Sequence, residues 1–188
     1  DGRGLYHDES VRLGVAGATR DVLGFGVVAA DFDADGRIDL LQSNGHVLDR
    51  ARLGVPFSMR PVLMRGRAGG FDDASHKAGP WFSRASLGRG VAAGDVDGDG
   101  RLDVAAAALD VPFALLMNRT SAPPSVHIEL VNRRGVPAIG ARTIARIAGR
   151  TIVQELVGGA GYLSFSPPRL SFGLGTAHAI DALEVYWP

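Results

Sequence analysis

Apolar residues in this chain fall in short runs broken by glycine and aspartate. The runs "GFGVVAA" (24–30), "IDLLQS" (38–43) and "RPVLMRG" (60–66) are followed by "GRGVAAG" (88–94), "LDVAAAA" (102–108) and "PFALLMNRT" (112–120). Each is too short for a stable helix, and several carry β-branched residues, so the pattern predicts strands joined by tight turns. The run Ala105 to Ala108 favours helix by composition but is read as a closely packed inner strand. Further on, "ARTIARIAGRTIVQELV" (141–157) has helical propensity, yet Ala148-Gly149 divides it and the flanks alternate, which predicts a hairpin. "SVHIELV" and "ALEVYWP" read as two more strands. The expected class is all-β.

Between the first two runs lies "DFDADGRID", and between the fourth and fifth "DVDGDGRLD". The first holds Asp31, Asp33, Asp35 and Asp39; the second holds Asp95, Asp97, Asp99 and Asp103, each 64 positions on. Four carboxylates this close repel one another unless protonated or neutralised by a cation. Calcium takes six to eight oxygen ligands in irregular geometry. Positions one, three and five can turn carboxylates inward, Gly36 and Gly100 allow the bend, the carbonyls of Arg37 and Arg101 offer a further oxygen, and the ninth-position Asp closes the shell. The expected cofactor is therefore Ca2+, at two sites. Zinc is disfavoured because neither loop holds His or Cys; magnesium prefers fewer protein ligands. An EF-hand is excluded because its twelfth-position Glu is replaced by Gln42 and Ala106, and because the flanks read as strands.

The repetition extends past the loops. "GFGVVAADFDADGRIDLL" aligns with "GRGVAAGDVDGDGRLDVA", and "AGGFDDAS" (68–75) has a counterpart in "GRGLYHDES" (2–10). One unit then reads strand, acidic loop, strand, strand, turn, and a Gly-aromatic-Asp strand. Four strands at this period suggest propeller blades. These units resemble the FG-GAP, or VCBS, repeats of calcium-binding β-propellers, and "GFGVVAADFDADGRIDLLQSNGHV" is similar to repeats of proteins related to cartilage acidic protein. From about Ser125 the chain resembles the ASPIC/UnbV domain that follows such repeats: the turn Asn132 to Gly135, "IGAR", "GYLS", "FGLG" and the final "WP" carry the likeness. The resemblance implies a partial β-propeller over residues 1–122 and a small antiparallel β domain, cut short at its C-terminus, over 123–188. It also implies a longer parent supplying the remaining propeller blades, since a propeller needs about four to eight and lone blades leave open edges.

Composition narrows the functional classes. The 188 residues contain no cysteine, which removes disulfides, thiolate metal sites and cysteine nucleophiles. No apolar run is long enough to span a bilayer. Net charge is zero, but eight of the 20 acidic residues sit in the two loops, leaving 12 against 20 basic ones elsewhere. The basic residues are nearly all Arg and form no cluster interleaved with aromatics, so nucleic acid is not an expected partner. No nucleophile elbow, phosphate-binding loop or HExxH motif occurs. His46 reads as a turn residue bonded to nearby backbone; His7, His76, His127 and His178 read as isolated surface or strand positions, and Trp81 and Trp187 as core or rim.

No catalytic residue is expected. The expected function is a calcium-stabilised, non-enzymatic scaffold or interaction module of an exported or cell-surface bacterial protein, with a protein or glycan ligand, as in adhesion. Millimolar external calcium saturates weak sites of this kind, in the range of about 10⁻⁴–10⁻³ M. The alternative is an accessory role in enediyne-type natural-product biosynthesis, which the UnbV resemblance implies, with the chemistry elsewhere in the parent.

Overall fold

The structure is a computed structural model and describes residues 4–188. It is all-β, with mostly antiparallel sheets. The first sheet is a meander of β1 (Gly24–Ala30), β2 (Asp39–Asn44), β3 (Val62–Arg67) and β4 (Gly70–Asp73), in that order. The second contains β5 (Gly88–Gly94), β6 (Asp103–Ala108) and β7 (Ala114–Leu116). The expected strand over the alanine run is thus present, as the middle strand of three. The two sheets meet through β1 and β2 on one side and β5 on the other, and Val28, Leu41, Phe82, Val91, Val104 and Ala106 form their shared core.

The two sheets repeat in fine detail. β1 slips register between Gly24 and Val27, and β5 slips between Gly88 and Val91, again 64 positions on. Leu40 faces Met64 in the first sheet, and Val104 faces Leu116 in the second. The second sheet, however, stops at three strands. The N-terminal stretch read as a further Gly-aromatic-Asp strand forms none: its residues 2 and 3 lie outside the described residues, residues 5–9 have no regular structure, and a five-residue helix, α1 (Val15–Thr19), follows.

The C-terminal third forms two small sheets. β8 (Ser125–Ile128) pairs with β11 (Leu170–Gly173), while β9 (Arg142–Ile147) lies between β10 (Arg150–Glu155) and β12 (Ala182–Tyr186). The 141–157 segment is a hairpin because alternation outweighs helical propensity: Thr143, Ala145 and Ile147 are all buried on one face. Ala148 (φ 47°) and Gly149 (φ 77°) make the two-residue turn, the left-handed pair that matches strand twist. Ile147, Leu156, Leu170, Phe172 and Leu174 fill the core. Among the described residues no helix is long and apolar enough to cross a membrane.

Candidate cation sites in the acidic loops

Each acidic loop links the first two strands of its sheet, and the two are folded by the same hydrogen bonds. Asp31 accepts from the N–H groups of Asp35 (3.1 Å) and Gly36 (2.8 Å); Asp95 accepts from those of Asp99 (3.1 Å) and Gly100 (3.0 Å). The fifth-position carboxylates take the N–H of Arg37 (2.9 Å) and Arg101 (3.0 Å). These contacts curl the chain back on its first Asp, which needs a left-handed residue at position six; Gly36 has φ 84° and Gly100 has φ 86°.

The ninth-position aspartates are structural as well as acidic. Asp39 accepts from Phe32 N (3.0 Å) at the loop start and from Gly66 N (2.7 Å) on β3. Asp103 accepts from Val96 N (2.9 Å) and from Asn118 N (2.7 Å) just past β7. Both are buried, Asp103 completely. One carboxylate thus staples the loop to the third strand in each unit. Each satisfies two backbone donors, of which the Gly66 N–H is buried and the others part-buried.

The carboxylates converge on two points. Oxygens of Asp31, Asp33 and Asp39 lie within 4.8 Å of one another, as do oxygens of Asp95, Asp97 and Asp99. The fourth carboxylate differs between the loops. Asp35 turns to the Arg37 (3.1 Å) and Arg65 (3.4 Å) guanidiniums, and Asp103 is held by its two N–H donors. The donor set is all carboxylate oxygen, which fits a hard divalent cation and neither zinc nor a soft metal.

Arginines balance part of the charge. Arg65 pairs with Asp33 in the first loop. Arg119 pairs with Asp97 (2.9 Å) and Asp99 (3.2 Å) in the second, where Arg101 also meets Asp99. The balance is incomplete in the first loop. Burial, reinforced by the charges of Asp39, Asp35 and Asp33, pushes the Asp31 carboxyl up to about 7 against the pull of the Gly36 N–H. Burial likewise raises Asp39 to about 6, with Asp33 and Asp35 adding to it against the Gly66 and Phe32 N–H groups. In the second loop desolvation raises Asp97, but the hydrogen bond and charge of Arg119 outweigh it and leave that carboxyl below its usual range. Two carboxyls raised in this way beside two more are the mark of crowded, partly buried negative charge.

The C-terminal sheets sit directly on these loops. Gly175 N donates to Ala34 O (2.9 Å), and Arg150 Nη1 donates to Asp35 O (2.8 Å) with its guanidinium lying over Gly36. Gly173 passes so close that a Cβ there would stand 2.0 Å from Asp31 Oδ2 and 2.6 Å from the Ala34 backbone. At the second loop, Ser125 Oγ donates to Gly100 O (2.5 Å) and His127 Nε2 lies 3.1 Å from the same carbonyl and 3.9 Å from Asp95 Oδ2. The other ring nitrogen, Nδ1, is 2.7 Å from Ser171 Oγ. His127 is therefore a half-buried interface residue rather than an isolated strand position. His46 does make the expected turn contact, accepting from Leu48 N at 3.0 Å.

The carboxylates were visible in sequence; Arg65, Arg119, Ser125, His127 and Arg150 were not. The last three come from strands far along the chain, with Arg150 115 positions from Asp35, and no spacing rule reaches so far. The "FGLG" stretch was a usable signal, since a glycine at the end of a strand, as Gly173 is in β11, marks close backbone approach. Comparison with known families agrees at this end of the molecule: residues 132–188 match the family model described as ASPIC and UnbV. The match begins after β8, so the strand carrying Ser125 and His127 lies ahead of it. No curated protein matches the chain.

Proposed function

We propose that each acidic loop binds one calcium ion and that the chain is a non-enzymatic scaffold or interaction module. The carrying observation is the duplicated site. Two loops 64 residues apart have one hydrogen-bond framework and each converges three carboxylates. Asp31, Asp33 and Asp39, and Asp95, Asp97 and Asp99, would hold the ions. The Arg37 and Arg101 carbonyls supply further oxygens, and Asp35 and Asp103 secure the loops. The ion supplies positive charge and rigidity. With it bound, the loops become fixed platforms for the strands they join and for the C-terminal sheets above them, and metal binding adds to folding stability.

The propeller reading belongs to the same proposal. The four-stranded meander, the packing of β1 against β5 and the recurring register slip support a reading of the two sheets as consecutive FG-GAP blades, which a longer parent would complete. Weak sites in loops of this kind are filled at the calcium levels outside cells, which favours an exported or surface-displayed bacterial protein recognising a protein or glycan.

Calorimetric titration of the chain with calcium tests this. Two binding events are expected, with Asp33→Ala removing one and Asp97→Ala the other. Absence of calcium heat in the folded chain overturns the reading and leaves the arginines as the loops' neutralising partners.

A further inference from the structure

Two kinds of arginine meet the acidic loops. The first kind belongs to the repeated motif. Arg37 and Arg101, both at position seven, pair with the fifth-position carboxylates of Asp35 and Asp99. The second kind comes from outside the loops. Arg65 pairs with Asp33 and reaches Asp35 at 3.4 Å. Arg119 pairs with Asp97 at 2.9 Å and with Asp99 at 3.2 Å. In both loops one guanidinium therefore spans the third and fifth carboxylates. Asp33, Asp97 and Asp99 are members of the converging groups, so these arginines hold carboxylates that a cation would use.

The two outside arginines do not stand at equivalent places. Gly66 and Asn118 are counterparts, since each gives its N–H to the ninth-position Asp of its own unit. Arg65 precedes Gly66, where the second unit has Met117; Arg119 follows Asn118, where the first unit has Arg67. Arg67 turns instead to Asp72 at 2.8 Å. A contact copied with the motif recurs at the same position, as those of Arg37 and Arg101 do. One reached twice from different positions answers a demand of the loop itself. Crowded carboxylates take a counter-charge from whichever neighbour offers one.

We propose that Arg65 and Arg119 set the affinity of the two calcium sites, by competing with the ion for the third and fifth carboxylates. This rests on the calcium reading above. Without metal, each guanidinium clamps its loop against the repulsion of its own carboxylates. With calcium, the same charge stands beside a dication and opposes it, and the affinity of an oxygen cage follows the charge of its ligands. Arginine suits the task because it stays charged at every working pH and grips carboxylates with a planar fork. A clamped loop keeps its shape where calcium is scarce and fills only where calcium is plentiful.

Calorimetric calcium titration of single-site chains tests this. Asp97→Ala isolates the first site and Asp33→Ala the second. In the first background Arg65→Gln should tighten calcium by about tenfold, the order expected when a unit charge is removed from beside a dication at a partly exposed site. Arg119→Gln should do the same in the second background. Both Gln variants should melt below their parents in chelator. Arg65→Lys keeps the charge and should return the affinity most of the way to the parent's. Arginines that merely brace the ligands give the opposite sign, since calcium then binds more weakly once they are gone. Weakened or unchanged binding in either Gln variant overturns the proposal while leaving the calcium reading in place. So does a Lys variant as tight as Gln, or a Gln variant that melts no lower than its parent in chelator. Absence of calcium heat in every chain, Gln variants included, removes the calcium reading itself and the proposal with it.

Discussion

The two acidic loops share a backbone and differ in what lies on top of it. The first is closed over by Gly173, Gly175 and Arg150, and burial raises its Asp31 carboxyl to about 7 and its Asp39 carboxyl to about 6. The second meets only the edge of β8, through Ser125 and His127, and leaves Asp97 and Asp99 exposed to Arg119 and solvent. The hydrogen-bond framework is therefore a property of the nine-residue motif, whereas the electrostatics belong to the neighbours. A duplicated motif carries its local geometry with it but acquires its charge balance separately at each place.

The shared part yields the largest expected effect. Asp39→Ala and Asp103→Ala each strip the acceptor from two backbone N–H groups, Phe32 and Gly66 in one case and Val96 and Asn118 in the other, buried at Gly66 and part-buried at the rest. An unsatisfied buried donor costs about 1–3 kcal/mol, so each variant should lose about 2 kcal/mol or more by urea denaturation without calcium. The two losses should be similar. A near-neutral result at either position breaks the equivalence of the loops.

A smaller effect separates them. Gly173→Ala places a methyl group against Asp31 and the Ala34 backbone, and overpacking of this kind costs about 1–3 kcal/mol. It should disturb calcium binding at the first loop and leave the second unchanged, which titrations in the Asp33→Ala and Asp97→Ala backgrounds resolve. Equal disturbance of both would mean that the C-terminal sheets grip the loops as one body.

Legibility followed the range of the interactions. The strands, the 148–149 turn and the position-six glycines were readable because alternation, turn chemistry and loop spacing act within about ten residues. The repeat was readable because it is a pattern rather than a contact. That the N-terminal stretch forms no strand was not, since "GRGLYHDES" has the sequence of an outer strand but no described partner beside it. Nor was the histidine at the second loop: a lone His on a strand carries no sign of the carbonyl that another sheet brings to it. Even the eight aspartates, read as equal ligands, divide by place into converging groups and structural staples.

The smallest effect concerns protons, and it tests whether the first loop alone carries unbalanced charge. The Asp31 carboxyl has its ordinary value of 3.8 when unfolded and is pushed up to about 7 by burial when folded. Without metal, the folded loop holds a proton that the unfolded chain releases. The resulting stabilisation is fully present below the lower value and is lost as pH rises through the upper one. Asp31→Asn removes that dependence. In chelator, the variant should gain on the parent between about pH 4 and about pH 7, by no more than about 1 kcal/mol because solvent screens a partly exposed carboxylate. That is a shift of about 2–4 °C in relative melting temperature. Saturating calcium should reverse the sign, since the ion needs the carboxylate that the parent has and the variant lacks. If the two melting temperatures keep a constant difference across this range in chelator, the first loop is already neutral and its distinction from the second is one of packing alone.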